Sequence, residues 1–368
     1  MGEWKEYKLG DIVVLNYGKA LKENNRVQGN IPVYSSAGLT GWHNEPLVNS
    51  KGIIIGRKGT IGKVYLTDKP FYCIDTAYYV LPNDEVYDSK FLYYLLSTLG
   101  LEHLNEDSAV PGLNRNTAYD QDVLLPPLPE QKSIASILNS LDDKIDLLHR
   151  QNKTLEELAE TLFRQWFVVE AEAGWEEKTI SDVIEVRDGT HDSPKPKEAG
   201  YFLITSKHLK AEGIDFNNAY KISEDDYISI NKRSKVNKND ILFSMIGTLG
   251  LIYYVQDEPD YAIKNIGLFK SSQKPEFAKF LYLLLKSPLG KRFIYESADG
   301  STQEYISLGS LRDFEFKYPG NSILKEFDKT VIPFFEKIFS NDTQIRTLIR
   351  LRDTLLPKLM SGEVRVEN

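Results

Sequence analysis

A regular apolar stripe runs through the middle of the chain. Between Glu130 and Phe167 there is no Gly or Pro, and three prolines stand at the start of this stretch. Its seam positions recur at alternating intervals of four and three residues: Ile134, Leu138, Leu141, Ile145, Leu148, Asn152, Leu155, Ala159, Leu162 and Trp166. This spacing predicts a coiled-coil helix of about five heptads, roughly 55 Å long, with one polar seam position at Asn152. An ordinary amphipathic helix packed on its own globule is the alternative, but a strict heptad favours a partner helix.

A second long helix is predicted from about Ser322 to Met360, with a less regular stripe. Its apolar positions are Val331, Phe335, Ile338, Ile345, Leu348, Leu355 and Leu359. Pro333 predicts a kink or a break near the start of this helix, because proline lacks the backbone N–H. The segment between the helices follows the first helix and leads into the second, so two packed helices must run antiparallel. We therefore expect two globules held apart by a rod.

The globular segments repeat each other. WKEYKLGDIVVLNYG at Trp4 returns as WEEKTISDVIEVRDG at Trp175, and IIIGRKGTIGKVY at Ile53 returns as ILFSMIGTLGLIY at Ile241. FLYYLL and QNKTLEELAETLF return later as FLYLLL and QIRTLIRLRDTLL. These matches predict a strand-rich unit of about 130 to 150 residues followed by a helix, present twice with pseudo-two-fold symmetry.

The glycine-rich stretch after Ile53 admits two interpretations. A P-loop requires four residues between its first glycine and the Gly-Lys pair, then Ser or Thr, then a helix. Here five residues separate Gly56 from Gly62, Val64 replaces the hydroxyl residue, and the following residues are β-branched and aromatic. The second copy keeps Gly-Thr-x-Gly and loses both lysines. The pattern therefore favours a tight turn between strands.

The composition, the cysteine and histidine counts and the net charge restrict which class of protein this sequence can encode. The 368 residues, 41% hydrophobic and 27% charged, indicate a soluble protein of two or more domains. We expect a cytoplasmic protein, because Cys73 has no cysteine to pair with and no apolar run approaches the roughly 20 residues that span a bilayer. The five histidines are scattered, so we expect no metal site. A net charge of −8 argues against coating nucleic acid by charge alone, so DNA contacts would need local basic clusters.

Two similar globules on a rod suit a split DNA site whose halves lie about one helical turn, roughly 34 Å, apart. Particular motifs then carry a resemblance that extends over the whole chain. LPPLPEQKSIASILNSLDDKIDLLHRQNKTLEELAETLFRQWFV and RDTLLPKLMSGEVRV resemble the conserved helical regions of type I restriction-modification specificity subunits. DGTHDSP at Asp188, AVPGLNRN at Ala109 and STQEYIS at Ser301 resemble recurring pieces of their target recognition domains.

The resemblance implies an α+β fold with two mixed, strand-rich target recognition domains and a pair of long antiparallel coiled-coil helices. The implied domains are residues 1–129 and 171–320, and the implied conserved helical regions are 130–170 and 321–368. The polar Asp342 and Arg352, together with Pro333, fall near the second helix's seam and depart from the family's plainer members.

The resemblance also implies function and partners. Such a subunit has no catalysis of its own, and each recognition domain reads one half of a bipartite double-stranded DNA target. The helices set the spacing and dock two adenine methyltransferase subunits, which restriction subunits can join. S-adenosylmethionine and ATP are then cofactors of those partners and not of this chain. The chain carries no Asn-Pro-Pro-Tyr motif and no GxGxxG, which agrees with this division of labour.

Residue types that contact bases and phosphates supply the DNA-binding candidates. In the first globule they are Arg57, Lys58, Thr60, Lys63, Asn114, Arg115 and Asn116. In the second they are Thr190, His191, Ser193, Lys207, Arg233, Ser234, Lys235, Thr248, Ser301, Thr302 and Gln303. For any one of them a solvated surface role is the alternative, and for His191 it is a turn histidine capping backbone groups. Aromatic residues can stack on bases or fill the core; these are Tyr17, Tyr34 and Trp42.

The residues expected to meet partner subunits are Gln131, Lys132, Phe163, Trp166 and Phe167. Trp166 is also a seam position, which favours burial within the helix pair. Two other functions compete with DNA specificity. A nuclease fused to a recognition domain would need a catalytic module, for which the repeat leaves no segment long enough. A structural adaptor joining two proteins would bind no DNA sequence even with its partners present.

Overall fold

The computed structural model describes residues 3–104, 112–210, 213–300 and 304–366. The chain divides into two compact units. Unit 1 contains residues 1–148 and 343–368, and unit 2 contains residues 149–342. Each unit holds one of the repeated sequence copies and part of each long helix.

Unit 1 is built on three small sheets. Its strands are β1 (Lys5–Lys8), β2 (Asn16–Tyr17), β3 (Ile31–Ser35), β4 (Gly38–His43), β5 (Gly52–Gly56), β6 (Val64–Thr67), β7 (Tyr72–Cys73), β8 (Ala77–Val80) and β9 (Asp122–Leu125). Its helices are α1 (Leu9–Ile12), α2 (Ser89–Thr98), α3 (Arg115–Tyr119), the first part of α4 (Leu128–Arg164) and the last part of α9 (Asn321–Met360). The sheets have the strand orders β2-β8-β5-β6, β4-β3-β7 and β1-β9.

Unit 2 repeats this plan with additions. Its strands are β10 (Glu176–Thr179), β11 (Val186–Asp188), β12 (Tyr201–Thr205), β13 (Leu209–Lys210), β14 (Gly213–Ile214), β15 (Lys221–Ile222), β16 (Ile241–Ser244), β17 (Ile252–Tyr254), β18 (Tyr261–Lys264), β19 (Ile266–Phe269) and β20 (Glu315–Tyr318). Its helices are α5 (Glu224–Ser234), α6 (Pro275–Lys286), α7 (Pro288–Ser297), α8 (Leu308–Arg312), the last part of α4 and the first part of α9. The order β11-β19-β16-β17 matches β2-β8-β5-β6 of unit 1, and β10-β20 matches β1-β9.

The glycine-rich stretch is a turn between antiparallel strands in both units. β5 pairs with β6, and the Gly62 N–H donates to the Gly56 carbonyl at 2.8 Å. In unit 2 the Gly250 N–H donates to the Ser244 carbonyl at 3.1 Å. Gly62 and Gly250 have φ of 73° and 74°, a region that residues with a Cβ rarely adopt. The prediction of a strand turn is confirmed, because a strand follows where a P-loop requires a helix.

Each unit buries one main apolar core between its four-stranded sheet and the helices. In unit 1 the side chains of Ile53 and Ile55 on β5 pack with Phe91 and Leu95 of α2 and with Leu138 of α4. Asp88 starts α2 by accepting hydrogen bonds from the N–H groups of the second and third residues after it, both at 3.0 Å. In unit 2 a cluster of aromatic rings takes the same place: Phe163, Phe243, Phe277, Phe280 and Phe327.

The two long helices pair in an antiparallel direction, as predicted. Within unit 1, Ile145 of α4 contacts Ile345 of α9, while Asp142, earlier in α4, receives a hydrogen bond from Arg352, later in α9, at 2.9 Å. Within unit 2, Asn152 of α4 donates to Asp342 of α9 at 2.7 Å. The polar residues near the seam therefore bond to each other across the pair.

Proline at position 333 does not end the second helix, which is continuous from Asn321 to Met360. Of the predicted kink or break, the break is therefore absent. Pro333 lies on the exposed side of α9, whereas Val331 and Phe335 beside it are buried. Burial of these neighbours holds the helix where one backbone hydrogen bond is lost.

Candidate nucleic-acid interface

In unit 1 the strand turn and a distant loop run side by side. The Leu113 N–H donates to the Arg57 carbonyl at 2.8 Å, and Lys58 forms a β-bridge with Gly112. The N–H groups of Arg57 and Lys58 both donate to the Thr76 carbonyl, at 2.9 and 3.0 Å. These bonds fix the turn and the loop around a cavity of about 300 Å³, which we call the Tyr17 cavity. It is lined by Tyr17, Arg57, Lys58, Tyr78 and residues 112–116.

Two guanidinium groups in this cavity lie against one tyrosine ring. The Cζ atoms of Arg57 and Arg115 are 5.0 and 5.2 Å from the centre of the Tyr17 ring. Tyr17 meets Tyr78 edge to face at 5.1 Å, and the Tyr78 hydroxyl donates to the Leu113 carbonyl at 3.1 Å. Burial raises the pKa of Tyr78 to about 12, so its hydroxyl stays protonated. The stack holds two planar cations in place.

The positive charge of the Tyr17 cavity has no internal counter-charge among the described residues. No carboxylate lines the cavity, and no described acceptor pairs with the guanidinium of Arg57 or Arg115. Within the part of the chain that the structure describes, nothing accepts a hydrogen bond from the buried Nε atom of Arg115. Because a buried donor without an acceptor is costly, this arrangement favours a ligand that supplies acceptors.

In unit 2 the corresponding polar residues gather around a buried carboxylate. Asp188 is only 6% exposed and accepts a hydrogen bond from Arg233, and its Oδ2 lies 2.9 Å from Nε2 of His191. Nδ1 of His191 lies 2.7 Å from Oδ1 of Asn265, a non-glycine residue with φ of 52°. The Asn265 N–H donates to the Thr190 carbonyl at 3.2 Å. In this cluster the positive charge of Arg233 is already paired with the carboxylate of Asp188.

Comparison with known proteins identifies the family. The model of the type I restriction modification DNA specificity domain matches residues 1–157 and again residues 172–348. The chain belongs to this family. Membership makes it a specificity subunit, a class that recognises DNA and leaves catalysis to other subunits.

Individual proteins that are similar to this specificity subunit support the same family assignment. It is 30% identical over 348 residues to the type I restriction enzyme MjaIX specificity subunit of Methanocaldococcus jannaschii, covering 86% of this chain and 78% of the relative. It is 24% identical over 470 residues to the HindI specificity subunit of Haemophilus influenzae, covering 99% and 100%. A crystal structure of a type I restriction-modification S subunit from M. genitalium has the same fold, with a TM-score of 0.65 at 20% identity over 97% of this chain and 96% of that one.

The DNA-binding candidates of unit 1 fall into two groups. Arg57, Lys58, Asn114, Arg115 and Asn116 line the Tyr17 cavity, although they come from two segments far apart in sequence. The Asn114 side chain also caps α3, since its Oδ1 accepts from the Asn116 N–H at 2.8 Å. Thr60 and Lys63 are exposed on the turn and do not line the cavity.

The three aromatic candidates of unit 1 differ in their exposure and packing. Tyr17 is 49% exposed at the cavity. Tyr34 packs edge to face on Phe71 in the core, at 6.1 Å. Trp42 is 52% exposed on β4.

The candidates of unit 2 are more dispersed. Thr190, His191 and Arg233 belong to the Asp188 cluster. Ser193 is connected to it through Lys264, which forms a β-bridge with Thr190 and donates a hydrogen bond to Ser193. Lys207, Lys235 and Thr248 are exposed outside that cluster. Ser234 is 1% exposed and its hydroxyl donates to the Ile230 carbonyl, so it lies beneath the surface and offers DNA no contact. Ser301, Thr302 and Gln303 lie outside the described residues.

Sequence reasoning missed several residues of these sites: Tyr78, Asp188, Lys264 and Asn265. Tyr78 reaches the cavity through the pairing of β2 with β8, which no local pattern reveals. The sequence does mark the place of Asp188, because Asp188 and Gly189 end the segment from Trp175 that repeats the start of the chain.

Of the five residues expected at a partner surface, two are buried inside their own unit, two are half-buried and one is exposed. Gln131 is 1% exposed; its Oε1 accepts from the Asp88 N–H at 2.9 Å and its Nε2 donates to the Pro126 carbonyl at 2.9 Å. Phe163 is 5% exposed, and Phe167 and Trp166 pack on the same core. Lys132 is exposed. Within the described part of the chain no helix is both long enough and apolar enough to span a membrane.

Proposed function

We propose that this specificity subunit directs a type I restriction-modification complex to a bipartite DNA target, with each unit reading one half. The observation that supports this most is the Tyr17 cavity, a cationic site built on a turn whose backbone geometry unit 2 repeats. Arg, Lys and Asn are the residue types that contact guanine, adenine and phosphate groups. Two units with one backbone plan and different side chains suit two different half-sites.

The long helices have a second role in this proposal. α4 and α9 each contribute to both units, so their length sets the spacing between half-sites, and they dock adenine methyltransferase subunits. Restriction subunits join through the methyltransferases. S-adenosylmethionine and ATP bind those partners, which supply the catalysis.

The overall charge predicts how DNA binding depends on those partners. With a net charge of −8, the isolated chain attracts the phosphate backbone poorly, and the partners complete a clamp around the duplex. We expect weak binding with little sequence preference from the chain alone, and a large gain in affinity when methyltransferase subunits are added at the same salt concentration.

Fluorescence anisotropy with cognate and scrambled duplexes tests this expectation. Nanomolar, sequence-specific binding by the chain alone would contradict the clamp. An assembled complex that still shows no sequence preference would favour an adaptor that joins two proteins.

A further inference from the structure

The same backbone site has different chemistry in the two units. The Leu113 N–H donates to the Arg57 carbonyl in unit 1, and the Ile306 N–H donates to the Met245 carbonyl at 2.9 Å in unit 2. The β-bridge between Lys58 and Gly112 likewise matches one between Ile246 and Tyr305. Arg57 and Lys58 of unit 1 therefore correspond to Met245 and Ile246 of unit 2.

The remaining members of the cavity differ in the same way. Register places Tyr17 opposite Tyr78 in unit 1, and Asp188 opposite Gly267 in unit 2. Arg115, two residues after Leu113, corresponds to Leu308, two residues after Ile306. Both arginines and both tyrosines of the Tyr17 cavity are thus absent from the equivalent place.

Apolar packing fills that place in unit 2. Met245 is 8% exposed, and its Sδ would lie 3.3 Å from a Cβ built on Gly267. Leu311 of α8 would lie still closer to that Cβ, at 2.6 Å. Unit 2 therefore uses the positions of Arg57, Tyr78 and Arg115 for apolar packing, whereas the position of Tyr17 holds Asp188 and its polar cluster.

The cavity of unit 1 selects a particular ligand chemistry. Guanidinium groups match pairs of acceptor atoms, such as O6 and N7 of guanine or two oxygens of a phosphate. Contact with the Tyr17 ring restricts where the two guanidinium groups can lie, and the buried Arg115 Nε has no described acceptor of its own.

We propose that Arg57 and Arg115, held on Tyr17, bind a paired acceptor group of one nucleotide in the half-site of unit 1, and that unit 2 has no equivalent contact. This rests on the proposed function and adds a specificity-determining pair to it. The acceptor group is either the guanine edge or a backbone phosphate, and the experiment below distinguishes them.

Unit 2 supplies the substitutions for the test. Arg57→Met and Arg115→Leu place in unit 1 the residues that unit 2 accommodates on the same backbone, so folding should survive. Lys69→Gln, an exposed position of unit 1 outside the cavity, removes the same charge and serves as the control. Each chain is assembled with its methyltransferase subunits, and assembly is checked by co-purification before methylated motifs are mapped and duplex binding is titrated against salt.

If the contact is to guanine, both variants should accept other base pairs at one G·C position of a single half-site. The preference for G·C over the other base pairs at that position should fall about 5- to 150-fold. The other half-site stays unchanged. A phosphate contact predicts an unchanged motif, equal loss of affinity for cognate and non-cognate duplexes, and a salt slope smaller by about 1. Arg57→Lys separates these further, since lysine retains a phosphate contact but not the bidentate fork.

The inference is overturned if the wild-type complex methylates a bipartite motif and both variants match it in motif, affinity and salt slope. It is also overturned if Arg57→Met and Arg233→Gln alter the same half-site. A wild-type complex that methylates no bipartite motif would instead defeat the proposed function.

Discussion

Arg365 donates two hydrogen bonds to the carboxylate of Glu130 in unit 1, from Nε to Oε1 at 2.6 Å and from Nη2 to Oε2 at 2.8 Å. Its guanidinium also lies 5.3 Å from the centre of the Trp4 ring. Glu130 is only 3% exposed. This bidentate pair ties the segment after α9 to the first turn of α4.

Removing this arginine should destabilise unit 1. Arg365→Gln leaves the buried Glu130 carboxylate without its main partner, so we expect the melting temperature at pH 7 to fall by roughly 2–4 °C. Lys358→Gln, which breaks an exposed ion pair with Glu363, should change it little. Calorimetry of both variants makes the comparison.

The effect should depend on pH. Hydrogen bonds from Arg365 lower the pKa of Glu130, so the pair stabilises the folded state above the unfolded pKa of about 4.3 and loses its contribution as pH falls through the lower folded value. The difference between wild type and Arg365→Gln should therefore shrink below about pH 4. A difference that stays constant down to pH 3 would contradict this role.

A buried polar network should define the register of the helix pair in unit 2. Asn341 is fully buried and donates to Oδ1 of Asn152 at 2.8 Å, and Asn152 donates to Asp342. Asn341→Ala removes a buried donor and leaves Oδ1 of the half-buried Asn152 without it, and should cost about 1–3 kcal/mol in urea unfolding. Lys337→Ala, on the exposed side of the same helix, should cost less than about 0.5 kcal/mol. In a double-mutant cycle with Asn152→Ala, strictly additive losses would show that the two amides do not interact.

The repeated turn should tolerate a methyl group unequally in the two units. A Cβ on Gly62 would lie 2.2 Å from the backbone nitrogen of Glu102, whereas a Cβ on Gly250 would first meet the end of the Ile294 side chain, at 2.7 Å. Both glycines have positive φ, a conformation that costs a residue with a Cβ about 1–3 kcal/mol. Gly62→Ala adds a backbone clash to this strain, so it should lower the free energy of unfolding by more than Gly250→Ala does. Gly174→Ala, with no atom within 4 Å, is the control. Equal losses at positions 62 and 250 would exclude backbone crowding as the cause.

Helix length should control the spacing of the half-sites. Seven residues inserted into α4 near Leu148 and seven into α9 near Ile345 keep the antiparallel pairs in register and lengthen the pair by about 10 Å. We expect the gap in the methylated motif to grow by about three base pairs, at 3.4 Å each, while both half-sites stay the same. A complex that remains active with its original gap would refute this role of the helices.

The long helices and the repeat were predictable because their signals are local and periodic. The heptad from Ile134 to Trp166 and the matched Gly-Thr-x-Gly segments need no tertiary information. The Tyr17 cavity was only half predictable. Its arginines belong to the right residue class, but their stacking depends on β2 pairing with β8 across the unit. Gln131 shows the reverse case, since a polar residue at a helix start was expected at the surface and is instead buried, with hydrogen bonds to three backbone groups.

In the proposed function this chain determines where DNA is methylated. Co-expression with a cognate adenine methyltransferase subunit, in a host without adenine methylation, followed by single-molecule sequencing, tests this directly. We predict methylated adenines on both strands of one bipartite motif, and none when this chain is omitted. An assembled complex that adds no methylation, or that methylates an unsplit motif, would rule out this role.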